Sequence, residues 1–288
     1  FSSQTKEKLI DERVYPLAQP QLLEAWSAFW AKNKSMAKAI IARASLLRSK
    51  TDDFLKDKKL IKKVGQANKK LQSKLAPVVG NIPADKRELF IVEGDSAGGS
   101  AIRARNKSFQ AIYPLKGKPL NAMEASKDKI QNNAEIVGLL AAIGVGAESK
   151  SAKGFVPSYG KIILLADADV DGSHVNTLLL GNLHKFCPSL IDNGHVYTVR
   201  SPLYKGRHKN VVYFGMTREE VWKQAGAQCD TTYLKGWGEL SPEDMNVALD
   251  PEVRTLFRII ATTSSKTTEF RALLGKSPDY RKQLLGVA

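Results

Sequence analysis

The sequence predicts an α/β fold, a mainly parallel sheet with flanking helices, between residues 87 and 204. Two observations carry that prediction. Strand-like and helix-like patterns alternate from 87 to 200, the order of strand–helix–strand units. Two apolar runs also end in acid: IILLADADVDGSH (162–174) runs into Asp167, Asp169 and Asp171, and LFIVEGDSAGGSA (89–101) runs into Glu93. Each is followed by a glycine-containing turn, and ligand sites in such sheets lie at the carboxyl ends of the strands.

The elements follow in order. Residues 21–75 read as helical: Leu22, Leu23, Trp26, Phe29 and Trp30 recur at three-to-four spacing, and Ile40, Ile41, Leu46 and Leu47 continue a narrower stripe. Between Lys34 and Lys74 there are thirteen Lys/Arg against three Asp, a run suited either to a solvated helix face or to one turned toward DNA. Pro77, Gly80, Asn81 and Pro83 mark 76–85 as a linker. A strand is expected over 89–93, a helix from about Ser96, a helix over 133–143, a strand over 161–166, a helix from about His174 to Phe186, and a strand over 195–204. The tail carries a hairpin near 211–214, helices around 218–225 and 242–249, and an amphipathic helix near 252–260. There is no internal repeat and no low-complexity tract.

Composition bounds the function. The 288 residues suffice for a sizeable core, and 43% hydrophobic with 25% charged content is ordinary for a globular chain. The balance of Lys+Arg 44 over Asp+Glu 29, net +15, is not ordinary and favours a polyanion, nucleic acid before an acidic membrane surface. No apolar run approaches the roughly 20 residues of a membrane span, and no signal peptide opens the chain. Cys187 and Cys229 are too few for a disulfide framework or a zinc site, which points to a reducing cytoplasm. The opening on Phe1 rather than Met reads as a fragment of a longer protein.

Side chains on a strand alternate faces, so Asp167, Asp169 and Asp171 are expected to begin on one side of a strand end before the turn at Gly172. Three like charges so close repel unless a divalent cation sits among them. An EF-hand also begins D-x-D-x-D-G, but its twelfth position needs Glu and here holds Leu178. Solvated aspartates in a turn remain the plain alternative. GDSAG (94–98) matches a nucleophile elbow, and Ser96, Asp167 and His174 could be written as a triad, but Glu93 would stand beside the oxyanion and Asp169, Asp171 and the net charge would go unexplained. The glycines fit better a turn whose backbone N–H groups approach a phosphate. GVGAESKS (144–151) lacks the second glycine of a P-loop and reads as a loop. PLKGK (114–118) sets Lys116 and Lys118 on one side of a short turn. With Arg103, Arg105 and Lys107, and with His174 as a phosphate contact or a helix cap, it could bracket a phosphate backbone beside the acids.

Taken together, EGDSAGGSA, PLKGK and DADVDGSH resemble the Toprim domain of type IIA DNA topoisomerases. FSSQTKEKL is similar to the Q-T-K loop that ends the family's ATPase and transducer region, and SPLYK (201–205) and YLKGWGELSPEDM (233–245) fit as well, so the likeness spans nearly the whole chain. Toprim primases and nucleases share the Glu and the D-x-D but not the other motifs together. PLNAMEASKDKIQNNAEI (119–136) leans to the eukaryotic and T-even phage branch while the acidic motifs are more bacterial, a mixture similar to a phage enzyme of the T-even kind. Two departures touch the tail: Trp237 stands where the family has leucine in K-G-L-G-E, and Leu234 separates Tyr233 from Lys235.

The resemblance implies a Rossmann-like Toprim domain at 87–204, preceded by the end of an ATPase/transducer region at 1–20 and a long basic helix with its linker at 21–86, and followed by a mixed α/β tail at 205–288. It implies Mg²⁺ held by Glu93, Asp167 and Asp169, with Asp171 at the loop, for double-strand cleavage and religation of DNA. Asp169→Ala should then abolish cleavage and leave the fold intact. The attacking tyrosine belongs to a winged-helix domain or subunit, and none of the eight tyrosines here has its context. Gln4 and Lys6 would sense ATP bound upstream in the full-length enzyme, Lys6 at the γ-phosphate, and this piece by itself would hydrolyse none. A two-fold holoenzyme on double-stranded DNA, without a membrane, in the cytoplasm (the host's for a phage enzyme) completes the expectation. The rival is a non-catalytic DNA-binding or scaffold module that retains acidic strand ends, or another Toprim nuclease.

Overall fold

A computed structural model describes residues 14–70, 74–145, 157–260 and 266–287, so the Gln4–Lys6 loop and most of GVGAESKS lie outside the described residues. The chain divides into two units, residues 1–55 and 56–288, with the boundary inside one helix.

In the first unit, α1 (Val14–Lys32) starts earlier than residue 21, and the helical run is broken at Asn33 before α2 (Lys34–Lys70). The Asn33 side chain donates back to the Phe29 carbonyl at 2.8 Å and competes with the helix ladder there. The apolar stripe is not buried: Leu22, Leu23, Trp26, Ile40 and Ile41 are each more than half exposed.

The second unit holds a five-stranded sheet in the order β2-β1-β3-β4-β8. Its strands are β1 (Glu88–Glu93), β2 (Gln110–Leu115), β3 (Lys161–Leu165), β4 (Val196–Val199) and β8 (Leu256–Arg258). The first four run parallel and β8 pairs antiparallel to β4. Successive residues feed opposite cores. Leu89, Ile91, Ile162 and Leu164 pack on one side with α5 (Ala134–Ile143), α6 (Val170–Phe186) and α7 (Pro188–Asp192). Phe90, Val92, Ile163 and Leu165 pack on the other with α3 (Asp95–Ala104) and α9 (Pro242–Ala248). Two covered faces explain the near-continuous apolar runs.

Several expectations are corrected. β2 is an additional strand, and its Pro114 is tolerated because β2 lies at the sheet edge. The linker is not free chain, since Ala76 forms an antiparallel bridge with Ile112 and so covers that edge. A short α4 (Lys127–Asn132), capped by Ser126, is also additional. Helix α6 starts four residues before His174. The run HVYTVRSPLY is two strands, β4 and β5 (Tyr204–His208), interrupted around Pro202. Residues 252–260 contain β8 rather than an amphipathic helix, because the free edge of β4 supplies pairing partners that periodicity cannot show.

In the tail, β5 pairs with β6 (Val211–Gly215) through a tight turn at Lys209 and Asn210, both at positive φ, and with β7 (Thr231–Tyr233) on its other side. α8 (Arg218–Ala225) packs on this small sheet, while α10 (Lys266–Leu274) and α11 (Asp279–Leu285) follow at the end. A buried ion pair fastens the tail to the main sheet: the Arg254 guanidinium holds Glu88, which Lys161 also reaches at 3.2 Å.

Candidate metal centre and nucleic-acid interface

Parallel register brings the motifs together. Leu115 of β2 lies opposite Glu93, and Val92 lies opposite Leu165 of β3. PLKGK, Glu93 and the first aspartate therefore leave three adjacent strand ends at one level, with neighbouring strands about 4.8 Å apart. Behind Glu93, Gly94 adopts φ 78° and lets the strand turn directly into α3.

The aspartates do not share a strand face, because β3 ends at Leu165. Asp167 lies in the turn, Asp169 is the N-cap of α6, and Asp171 is in its first turn. Each carboxylate is drawn to a different partner. Asp167 Oδ1 accepts from the Trp237 backbone N–H at 2.8 Å, Asp169 Oδ1 from the Gly172 N–H at 2.7 Å, and Asp171 pairs with Lys118 at 2.7 Å. Among the described residues no three His, Cys, Asp or Glu side chains are gathered closely enough to hold a metal ion.

The donor set nonetheless fits a divalent cation. Glu93 Oε2 is buried with no hydrogen-bond partner, an orphan that only a cation, a proton or a water can satisfy. Burial, and then the charges of Asp167 and Asp169, push the Glu93 carboxyl above its ordinary range. Burial raises Asp167 too; the Trp237 N–H offsets part of that, and Asp169 and Glu239 add to it. Lys118 holds the exposed Asp171 low, which marks it as a rim residue. Hard carboxylate oxygens whose ionisation is penalised by burial and by one another suit Mg²⁺. Ser96, Asp167 and His174 are not joined by hydrogen bonds, since Asp167 is engaged by Trp237 and His174 is exposed, so the triad finds no support.

The cations divide into two groups. Lys116 and Lys118 are exposed beside the acids, and the loop they share is anchored twice. Lys118 reaches Asp171, and the Lys116 N–H donates to Glu135 at 3.4 Å; Glu135 in turn pairs with Lys74 at 2.5 Å. Arg103, Arg105 and Lys107 lie at the far end of α3, whose ten residues span about 15 Å. Arg103 leans back toward Gly99. Arg105 is tied to the Ile102 and Pro77 carbonyls at 2.6 and 3.4 Å, away from the acids. In α2, Lys56 and Lys63 bind Asp128 and Asn132 of α4 at 3.0 and 2.7 Å, so these two lysines of the basic run are engaged within the protein.

Sequence reasoning missed two contributors. Glu135 carries no signal until Lys74 and Lys116 are seen on it. The turn K-G-W-G-E (235–239) is read in sequence as part of the family likeness, with Trp237 as a departure and no role at the acids; in the fold it presses on Asp167 and brings Glu239 near it.

A family model described as the Toprim domain matches residues 88–200. Similar curated proteins include the B subunits of DNA gyrase from Thermotoga maritima (32% identical, over 99% of this chain and 46% of that one) and from Haloferax volcanii (36%, 99% and 46%). The B subunit of DNA topoisomerase 4 from Rickettsia bellii is 33% identical over 99% of this chain and 44% of its own. The chain thus spans about half the length of the curated relatives it matches. The crystal structure of the Plasmodium falciparum topoisomerase II DNA-binding, cleavage and re-ligation domain superposes with a TM-score of 0.59 at 25% identity, covering 73% of this chain and 30% of that one. The likeness to bacterial and archaeal chains does not bear on the T-even phage leaning of residues 119–136.

Proposed function

We propose that this chain belongs with the Toprim-containing subunits of type IIA DNA topoisomerases, to which it is similar over nearly its whole length, and that it supplies the metal-binding half of a composite site that cleaves and reseals double-stranded DNA. The observation that carries the reading is the buried, partnerless Glu93 oxygen beside Asp167 and Asp169 at the ends of adjacent parallel strands.

Glu93, Asp167 and Asp169 would hold Mg²⁺, and Asp171 would order the loop through Lys118. Bound there, the cation supplies stabilisation for negative charge on a leaving 3′-oxygen. Glu93 would also be placed to exchange a proton with that oxygen, giving it on cleavage and taking it back on resealing. Lys116 and Lys118, on a loop fastened at both ends, place cations where a DNA backbone would run past the acids. His174, exposed in the second turn of α6 and near Asp171, would be free to meet a phosphate. Arg103 fits a more distant phosphate. A tyrosine on a partner subunit or domain would attack, Gln4 and Lys6 would report ATP bound elsewhere in the complete protein, and the assembly would be two-fold. No helix among the described residues is long and apolar enough to cross a membrane. The cytoplasm, where a DNA substrate would be met, is the expected compartment.

The test is plasmid cleavage by this chain mixed with a tyrosine-bearing subunit, with and without Mg²⁺. Linear DNA covalently attached to the partner, formed only with the cation, is expected. DNA binding indifferent to Mg²⁺ and intact plasmid with every partner would instead support a scaffold.

A further inference from the structure

Trp237 stands out from everything else around the acids. It is the largest fully buried side chain among the described residues, yet it lies in a one-turn segment whose backbone touches the candidate metal ligand. Its indole Nε1–H donates to the Ala166 carbonyl at 3.0 Å, at the point where β3 gives way to the acidic turn. Its backbone N–H donates to Asp167 Oδ1 at 2.8 Å. One residue therefore grips two consecutive positions, the buried carbonyl just past the strand and the carboxylate that follows it.

Close approach makes the grip specific. A Cβ on Gly236 would stand 2.3 Å from Asp167 Oδ2, so any side chain there would have to displace that carboxylate, although the backbone itself is extended and open to any residue. On its other flank the turn meets α3, where a Cβ on Gly238 would lie 3.5 Å from Ser96 Oγ. The turn is thus wedged between the two acidic strand ends.

Packing alone does not set the ring's position. Trp237 packs with Phe90, Val92 and Ala97 in the core between the sheet and α9, but it also lines a cavity of about 140 Å³ with Phe214, Met216 and Arg254. A ring beside open space can shift; a ring whose N–H is hydrogen-bonded to a buried carbonyl cannot do so without leaving both groups unpaired. A leucine or phenylalanine would fill part of the volume but could not make this bond.

We infer that Trp237 is a positioning residue for the cation site, its indole bond to Ala166 fixing the backbone N–H that aims Asp167. The inference rests on the metal-site reading above. Partners that orient a metal-binding carboxylate typically contribute 10- to 100-fold in cation affinity.

The experiment is a Mn²⁺ titration of the full 288-residue chain, followed by electron paramagnetic resonance of the free ion and paired with a melting curve. It compares wild type with Trp237→Phe, Met245→Ala and Asp167→Ala. Met245 is fully buried in the same core, on α9 rather than on the turn. Trp237→Phe should weaken Mn²⁺ binding by about 10-fold, whereas Met245→Ala should lower the melting temperature and leave affinity unchanged. Affinity within about twofold of wild type in Trp237→Phe, with Asp167→Ala still defective, overturns the positioning role but spares the metal site. Wild type binding no better than Asp167→Ala overturns both. If Trp237→Phe does not fold, ¹⁵N-tryptophan spectra of wild type decide, with Trp26→Phe, Trp30→Phe and Trp222→Phe assigning the other three indoles: the Trp237 signal should move on adding Mg²⁺, and an unmoved signal overturns the inference.

Discussion

Asp169 performs two tasks that substitution can separate. Its Oδ1 caps α6 through the Gly172 N–H at 2.7 Å, and its charge stands among the candidate cation ligands. Removing a capping side chain costs about 1 kcal/mol, and α6 buries Val175, Leu178, Leu179 and Leu183, so the helix itself survives. Asp169→Ala should therefore lose about 1 kcal/mol, or about 2–4 °C in melting temperature for a domain of this size, refining the expectation of an untouched fold. Asp169→Asn keeps a capping oxygen, and asparagine caps about as well as aspartate. It gives up a charge favoured by the helix N-terminus but relieves the repulsion that Asp169 exerts on Asp167. Its stability should match wild type to within a few tenths of a kcal/mol. Both variants should lose cleavage. Urea unfolding and plasmid cleavage with a tyrosine-bearing partner measure the two effects. Wild-type cleavage by Asp169→Asn would refute the need for the charge, and an Asn variant as unstable as Ala would refute the cap.

Other outcomes follow from the same geometry. The Glu93 and Asp167 carboxyls are raised in the cation-free fold, so the folded chain holds those protons more tightly than the unfolded chain does. Their stabilising contribution is complete below the ordinary values of 4.5 and 3.8 and is lost as pH rises through the raised ones. Glu93→Gln should flatten that decline in urea unfolding between acid and neutral pH, and an unchanged slope would count against the burial of Glu93. Glu88→Ala should cost about 3 kcal/mol or more by leaving Arg254 charged and buried without its carboxylate; a loss under about 1 kcal/mol would show the pair to be dispensable. Gly236→Ala should abolish tight Mn²⁺ binding, since its new methyl group would displace the Asp167 carboxylate; retained binding would show that the turn yields.

What sequence alone determined is local. The apolar runs of β1 and β3, the acids that end them and the glycines that turn them are contiguous, so strand, turn and candidate ligand could be read from one stretch of chain. Strand–helix alternation was enough to expect Glu93 and Asp167 at one end of a parallel sheet; that PLKGK leaves a neighbouring strand end there became visible only with β2. Where an element depended on a distant partner, local pattern misled. β8 exists because β4 has a free edge, and the residues around Ala76 form an edge cover because β2 lies beside them. Arg105 looks available to DNA until the Ile102 and Pro77 carbonyls are placed around it. The division of labour among the aspartates was equally hidden, since Lys118 and Trp237, 53 and 70 residues away in sequence, decide which carboxylate is held and where it points. A hydrogen bond reaches about 3 Å whatever the length of chain between its ends, and only the packed structure brings those ends together.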